Sequence, residues 1–303
     1  MKSLKTPLRY PGGKSKALNK LFQFFPDLSK YSNYSEPFIG GGSVALEVTK
    51  RYPDINVQVS DKYQPLINFW VALQKYPEEL TNLLLNYKHD YNTPDKAKEL
   101  FDDCKDRLYD DDSTYGQRAA AFYVLNKCSF SGLTESSSFS KQASESNFSQ
   151  RGIEKLPEYS KLIKNWTILP WEYEKVLRGT ENNPINLNES TFIYLDPPYD
   201  IKDNLYGKNG GMHKSFDHDH FSNLIQNIPY DTLISYNADQ LVKDRFKNWQ
   251  SAEFDHTYTM RSVGDYMKDQ HARKELVLFN YQTEEQRRRE MEMISAGNNV
   301  TFL

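Results

Sequence analysis

The stretch "NYSEPFIGGGSVALEVTKRY", residues 33–52, decides the fold. "NYSEPF" (33–38) has the pattern of a short strand, and "SVALEVTKRY" (43–52) puts apolar residues at helical spacing behind Ser43, a residue type that opens helices. "INVQVSD" (55–61) returns to a strand pattern. Strand, glycine turn, helix and strand in that order make a βαβ opening, the unit from which parallel sheets are built. The three glycines let the backbone approach a ligand, while the start of the helix offers free N–H groups and a positive dipole end. Gly40, Gly42 and Ala45 satisfy G-x-G-x-x-A, and Asp61 closes the next strand 19 residues beyond Gly42, where an acid can meet ribose hydroxyls. That geometry serves any adenosine-containing cofactor, so NAD and S-adenosylmethionine (SAM) both remain open at this point.

Outward from this unit the chain keeps a strand-and-helix rhythm with one interruption. "QPLINFWVALQKYPEELTNLLLNYKHDY" (64–91) reads as helix, with Pro65 tolerated in a first turn and Pro77 as a break. From about 92 to 159 the character changes to an acidic polar run, a convincing helix in "RAAAFYVLNKCSF" (118–130), and a serine-rich stretch expected to be mobile. The rhythm resumes with "NWTIL" (165–169), "TFIYLD" (191–196), a helix over 217–228, "TLISYN" (232–237), a helix over 238–249, and two closing strands in "SAEFDHTYTM" and "KELVLFNY". The expected division is a first core part (1–75), an inserted recognition segment (76–160), a second core part (161–284), and a charged tail or frayed helix (285–303).

The 303 residues suffice for a large domain carrying an insertion. With 38 basic against 41 acidic residues the net charge is −3, which predicts no overall attraction for a polyanion, so any nucleic-acid surface must be local. Two cysteines, Cys104 and Cys128, provide neither a disulfide framework nor metal spacing, so a reducing compartment, the cytoplasm, is expected. No apolar run approaches a membrane span, and "MKSLKTPLRY" lacks the apolar core of a signal peptide.

The chemistry is concentrated in "YLDPPY", residues 194–199. Two prolines remove two backbone donors and hold the chain stiff just past a strand, displaying an acid, free carbonyls and a ring at the carboxyl edge of the sheet. An exocyclic amine on an aromatic base is a poor nucleophile because its lone pair is delocalised. Accepting its hydrogens through the Asp196 carboxylate and the Pro197 carbonyl favours a pyramidal nitrogen aimed at an incoming methyl group, with Pro198 stiffening the turn and Tyr199 stacking on the base. The base must first leave the duplex. Near the start, "LRYPGGKSK" (8–16) sets Tyr10, Gly12, Gly13 and Lys14 around a turn where a lysine can hold a carboxylate or phosphate. A P-loop reading of "GGKS" fails for want of the first glycine and a preceding strand. In "HKSFDHDH" (213–220) three histidines and two aspartates invite a metal reading, but on a helix start they point in different directions and no further ligand is evident.

"YPGGK", "EPFIGGGS", "SD" at 60–61 and "YLDPPY", in this order with a segment inserted before the last, resemble the Dam-type DNA adenine N6-methyltransferases over roughly Tyr10 to Tyr281. The resemblance implies a doubly wound, Rossmann-like α/β methyltransferase sheet with a mostly helical target-recognition insertion. It implies SAM as methyl donor, held by Tyr10, Gly12, Gly13, Lys14, the loop of Glu36, Pro37, Phe38, Gly40, Gly41, Gly42 and Ser43, and by Asp61 and Asp196. It implies duplex DNA as the partner of a monomer or weak dimer that needs no metal. "FYVLNKCSFSGL" (122–133) matches the start of that family's recognition segment, whereas "TESSSFSKQASESNFSQRG" departs from its usual continuation, which leaves the target sequence open. Lys127, Ser129, Ser131, Thr134 and Arg151 are the candidate DNA contacts, and Phe216 and His220 lie where the family meets the target strand. Competing expectations are the same chemistry on cytosine N4 or RNA adenine, an NAD-dependent dehydrogenase built on the glycine loop, and a silent DNA-binding regulator.

Overall fold

The computed structural model describes residues 4–295 apart from 11, 180–186, 189, 200–215 and 256–273. Its centre is a seven-stranded sheet of order β3-β2-β1-β4-β5-β7-β6. β1 (Asn33–Glu36), β2 (Asn56–Ser60), β3 (Thr167–Leu169), β4 (Thr191–Leu195) and β5 (Asp231–Asn237) run parallel. β7 (Lys274–Phe279) enters antiparallel between β5 and β6 (Gln250–Asp255). The expected strands all occur, one to two residues shorter or longer than their sequence patterns; the part of the "SAEFDHTYTM" strand beyond 255 lies outside the described residues.

Burial explains why each strand reads as it does. β1 and β4 are buried along their whole lengths, as parallel strands covered on both faces must be, so they show runs rather than alternation. β6, an edge strand, alternates between half-buried and exposed residues. β1 pairs with both β2 and β4, Tyr34 lying beside Val57 on one side and Phe192 on the other. The strand order therefore reverses between β1 and β4, the switch point outside which open α/β sheets bind ligands. The glycine turn follows β1 and the DPPY turn follows β4, so the two motifs, far apart in sequence, leave neighbouring strands at the same edge.

Helices cover the sheet. α1 (Leu18–Leu21), α2 (Ser43–Arg51) and α3 (Gln64–Lys75, with Pro65 in its first turn) precede α4 (Pro77–Asp90), which Pro77 opens. α5 (Pro94–Arg107) absorbs much of the acidic polar run by burying Ala97, Leu100, Phe101 and Cys104 on one face. α6 (Tyr115–Cys128) is buried almost all round and packs on α3, α4 and α5; Thr114 and Gln117 close its start with a reciprocal capping box. The serine-rich stretch forms the short helices α7 (Lys141–Ser146) and α8 (Gln150–Ile153), and its serines have structural work there: Ser140 caps α7 and Ser149 caps α8. α9 (Leu156–Ile163) returns to the sheet, and one apolar cluster runs from Phe122 and Phe101 through Trp70 to Val59 and Phe192. α10 (Tyr173–Leu177), α11 (His218–Ile225) and α12 (Gln240–Arg245) cover the second face of β4 and β5 with a separate cluster. The charged C-terminal segment contains a helix, α13 (Glu284–Ser295). Among the described residues no helix is long and apolar enough to cross a membrane.

Candidate active site

Glu36 ends β1 and is only 2% exposed. The Tyr34 hydroxyl donates to it at 2.6 Å and the Ala45 amide in the first turn of α2 donates as well, so the acid ties the strand end to the helix start. Burial pushes its carboxyl up to about 8 against the pull of those donors. The loop that follows needs its glycines for conformation and for space. Gly40 and Gly42 have φ of 45° and 68°, and a Cβ on Gly42 would sit 2.6 Å from the Trp70 ring. A Cβ on Gly40 would sit 2.8 Å from the Tyr10 ring and one on Gly41 would sit 2.9 Å from the Tyr10 Cβ, and Trp70 Nε1 donates to the Gly40 carbonyl at 3.2 Å. Pro37 and Ser43 are buried beside the loop, and Phe38 packs 5.3 Å from Tyr173 and 6.0 Å from Phe216.

Asp61 is buried one residue beyond β2. Its Oδ1 accepts the Tyr63 amide at 3.0 Å and its Oδ2 accepts the Gly40 amide at 3.3 Å, so the acid expected at a ribose also braces the glycine loop. Burial raises its carboxyl to about 6, with the two amides pulling the other way. The longer bond at Oδ2 leaves that oxygen lone-pair capacity for a hydroxyl.

Gly13 closes a tight turn onto the Tyr10 carbonyl, and Gly12 beside it takes φ of 70°. This turn delivers Lys14, which is 2% exposed, into the sheet edge. Its ammonium donates to Asp196 Oδ1 at 2.7 Å and Oδ2 at 2.8 Å, to the Tyr199 hydroxyl at 2.8 Å and to the Gly12 carbonyl at 3.1 Å. A second acid joins the group: Glu275 on β7, 0% exposed, lies 3.4 Å from Lys14 and accepts the Tyr199 hydroxyl at 2.6 Å. Asp196 keeps 22% of its side chain open. Burial raises its carboxyl, Lys14 lowers it and Glu275 raises it again, to about 6. The Tyr199 ring stacks on Tyr236 at 6.0 Å and 23°, while Pro197 is buried and Pro198 half-buried beneath the turn. The arrangement presents a carboxylate and a ring whose positions are set by strands and by one buried cation.

Sequence reasoning missed Glu275. Its signal is an acid inside the apolar run of "KELVLF", where burial on a strand demands a partner. The histidine-rich stretch disperses in space: Asp217 caps α11, His218 Nδ1 meets the Tyr236 hydroxyl, Asp219 pairs with Arg245 and His220 with Glu174. His213 lies outside the described residues, and among those described no three His, Cys, Asp or Glu residues cluster in a manner suited to a metal.

The candidate DNA contacts separate by exposure. Ser129 is buried with its Oγ accepting the Thr134 amide, and Thr134 is buried in a left-handed conformation (φ 53°), so these two build the turn and do not face outward. Ser131, also left-handed (φ 55°), is half-buried, and Arg151 is exposed. Lys127 lies half-buried over the Tyr123 ring at 5.2 Å; burial and the nearby Arg9 charge push it down to about 7. Asn126 clamps this segment to the N-terminal turn: its Oδ1 accepts the Arg9 amide at 2.9 Å and its Nδ2 donates to the Arg9 carbonyl at 2.6 Å. Arg9 directly precedes Tyr10, so the segment that follows α6 and the glycine loop share one support.

Comparison with known proteins places the chain in a family. The chain is 26% identical over 208 residues to the type II methyltransferase M.MjaIII of Methanocaldococcus jannaschii, covering 63% of this chain and 68% of the relative. It is 27% identical over 200 residues to the type II methyltransferase M1.LlaDCHI of Lactococcus lactis subsp. cremoris, covering 63% and 64%. Against the DNA N-6-adenine-methyltransferase of Escherichia phage P1 it is 28% identical over 210 residues, covering 66% of this chain and 24% of that protein. Residues 10–260, which hold the glycine loop, the Lys14 turn and the DPPY turn, match the D12 class of N6 adenine-specific DNA methyltransferases, and the chain belongs to that family.

Proposed function

We propose that this DNA adenine methyltransferase takes its methyl group from SAM and delivers it to the N6 amine of an adenine swung out of the duplex. The observation that carries the reading is the juxtaposition of the two turns at the switch point, with the Asp196 carboxylate partly open between them. The residues fit the donor. The glycine loop, packed under Tyr10 and against Trp70, leads its backbone into the uncapped start of α2, and Asp61 has acceptor capacity for a ribose hydroxyl. SAM supplies a methyl group activated by a sulfonium. The chain supplies the rest: Asp196 and the Pro197 carbonyl accept the amine hydrogens, Tyr199 stacks on the base, and buried Lys14 holds Asp196 in place. Residues 76–160 act as the recognition segment, with Ser131, Arg151 and the half-buried Lys127 as its remaining polar contacts to DNA. Its clamp through Asn126 and Arg9 sets target and donor in register.

The test is Asp196→Ala. Single-turnover transfer of labelled methyl to duplex DNA should fall by at least about 10²- to 10³-fold, while SAM binding by calorimetry persists. Digesting the wild-type product to nucleosides should give N6-methyladenine. An active Asp196→Ala variant refutes the mechanism, N4-methylcytosine refutes the assigned base, and binding of NADH in place of SAM refutes the donor.

A further inference from the structure

Glu275 has no part in the chemistry above, yet it is the most deeply buried acid at the site. It sits on β7 in register with Asn237 of β5, followed by Leu276, Val277 and Leu278, so the sheet fixes it in an apolar wall. Such an acid is retained only where partners compensate its burial. Lys14 and the Tyr199 hydroxyl do so here.

The contacts of Lys14 pose a problem that Glu275 solves. Lys14 sits astride both oxygens of Asp196, at 2.7 and 2.8 Å. An ammonium in that position draws down the acceptor strength that the adenine amine needs, so it must loosen when the base arrives. Glu275 Oε1 lies 3.4 Å from the same ammonium, and a shift of about 0.6 Å would bring it to full hydrogen-bond distance there. The Tyr199 hydroxyl bridges the route, accepting from Lys14 at 2.8 Å and donating to Glu275 at 2.6 Å.

We propose that Glu275 is a positioning residue that receives the Lys14 ammonium as Asp196 turns its oxygens to the adenine amine. One cation serves two carboxylates, and at neither end of the movement is a buried charge left alone. The same contact holds the Tyr199 ring against Tyr236, ready for the base. The inference rests on the function proposed above, and the experiment is arranged so that the two fail separately.

Glu275→Gln keeps the shape and removes the charge. Single-turnover methyl transfer should slow about tenfold or more, the size of a coupling within one ion network, while SAM affinity stays within about twofold. The acid limb of its rate profile should also move to lower pH, because Lys14 then leans wholly on Asp196 and the Glu275 charge that opposes Asp196 ionisation is gone; Glu275→Asp should restore part of the rate. A merely structural role predicts neither the lower pH limb nor the partial rescue. If Glu275→Gln does not fold by circular dichroism, Tyr199→Phe takes its place, deleting only the bridging hydroxyl, and the same slowing with SAM affinity preserved is expected. Wild-type rate and pH limb in the folded variant overturn the handover. With Asp196→Ala inactive alongside, that result leaves the site reading intact; an active Asp196→Ala overturns the site reading itself.

Discussion

Replacing Lys14 with methionine tests the electrostatics of the site through stability alone, independent of any substrate. Lys14 stands 2.7 Å from one carboxylate and 3.4 Å from another. At an effective dielectric constant near 20 these separations correspond to gross attractions of roughly 6 and about 5 kcal/mol. Most of that offsets the cost of burying an ammonium that is 2% exposed, so the net loss on removing it is the smaller figure of about 3 to 5 kcal/mol found when a buried pair is broken. The loss should depend on pH. Asp196 already sits at about 6, above the ordinary 3.8, so its ionised form is disfavoured in the folded state, and its contribution to stability falls as pH rises through that window. Without Lys14 the window extends higher, because its charge no longer offsets the repulsion between the two acids. Lys14→Met should therefore be most destabilised at pH 8 and recover towards pH 5, where one acid takes up a proton. Urea unfolding followed by tryptophan fluorescence reads this directly, since Trp70 and Trp166 are buried. Adding Glu275→Gln should return about half of the lost stability at pH 8. A Lys14→Met protein as stable as the wild type at pH 8, or a double variant no better than the single, would refute the network as drawn.

The rate of methyl transfer should rise with pH through an inflection near 6 and then level, because in the proposed mechanism Asp196 accepts amine hydrogens only when ionised; the Lys14→Met inflection should lie higher, and a flat profile between pH 5 and 8 would count against Asp196 as the acceptor. Gly42→Ala should cost about 2 to 4 kcal/mol, from a left-handed backbone and a Cβ driven into the Trp70 ring at 2.6 Å, and should weaken SAM binding, both readable from thermal shifts with and without SAM. Gly116→Ala, with open space around it inside α6, should instead stabilise by about 0.5 to 1 kcal/mol, which makes it the control for the glycine effect.

Much of the fold was legible because its signals are local. A strand, a glycine turn and a helix are set by residues within about ten positions of one another, so the βαβ opening at 33–60 and the break between α3 and α4 at Pro77 could be read directly. The serine-rich stretch was less legible. Its composition matches a solvated loop, and only the register of Ser140 and Ser149 against α7 and α8 shows the serines to be caps. The candidate DNA contacts illustrate the same limit: Ser129 and Thr134 have the side chains of surface contacts, but packing against α6 turned them inward.

The sequence by itself determined which chemistry this chain carries, because the DPPY turn and the glycine loop each encode their geometry in adjacent residues. Tertiary structure alone decided which charged side chains stand together beside the DPPY turn. Lys14, Asp196 and Glu275 lie on a turn before β1, the end of β4 and the start of β7, and nothing local links them. They meet because β1 pairs with β4 and β7 inserts beside β5, and strand order is a property of the whole packed sheet.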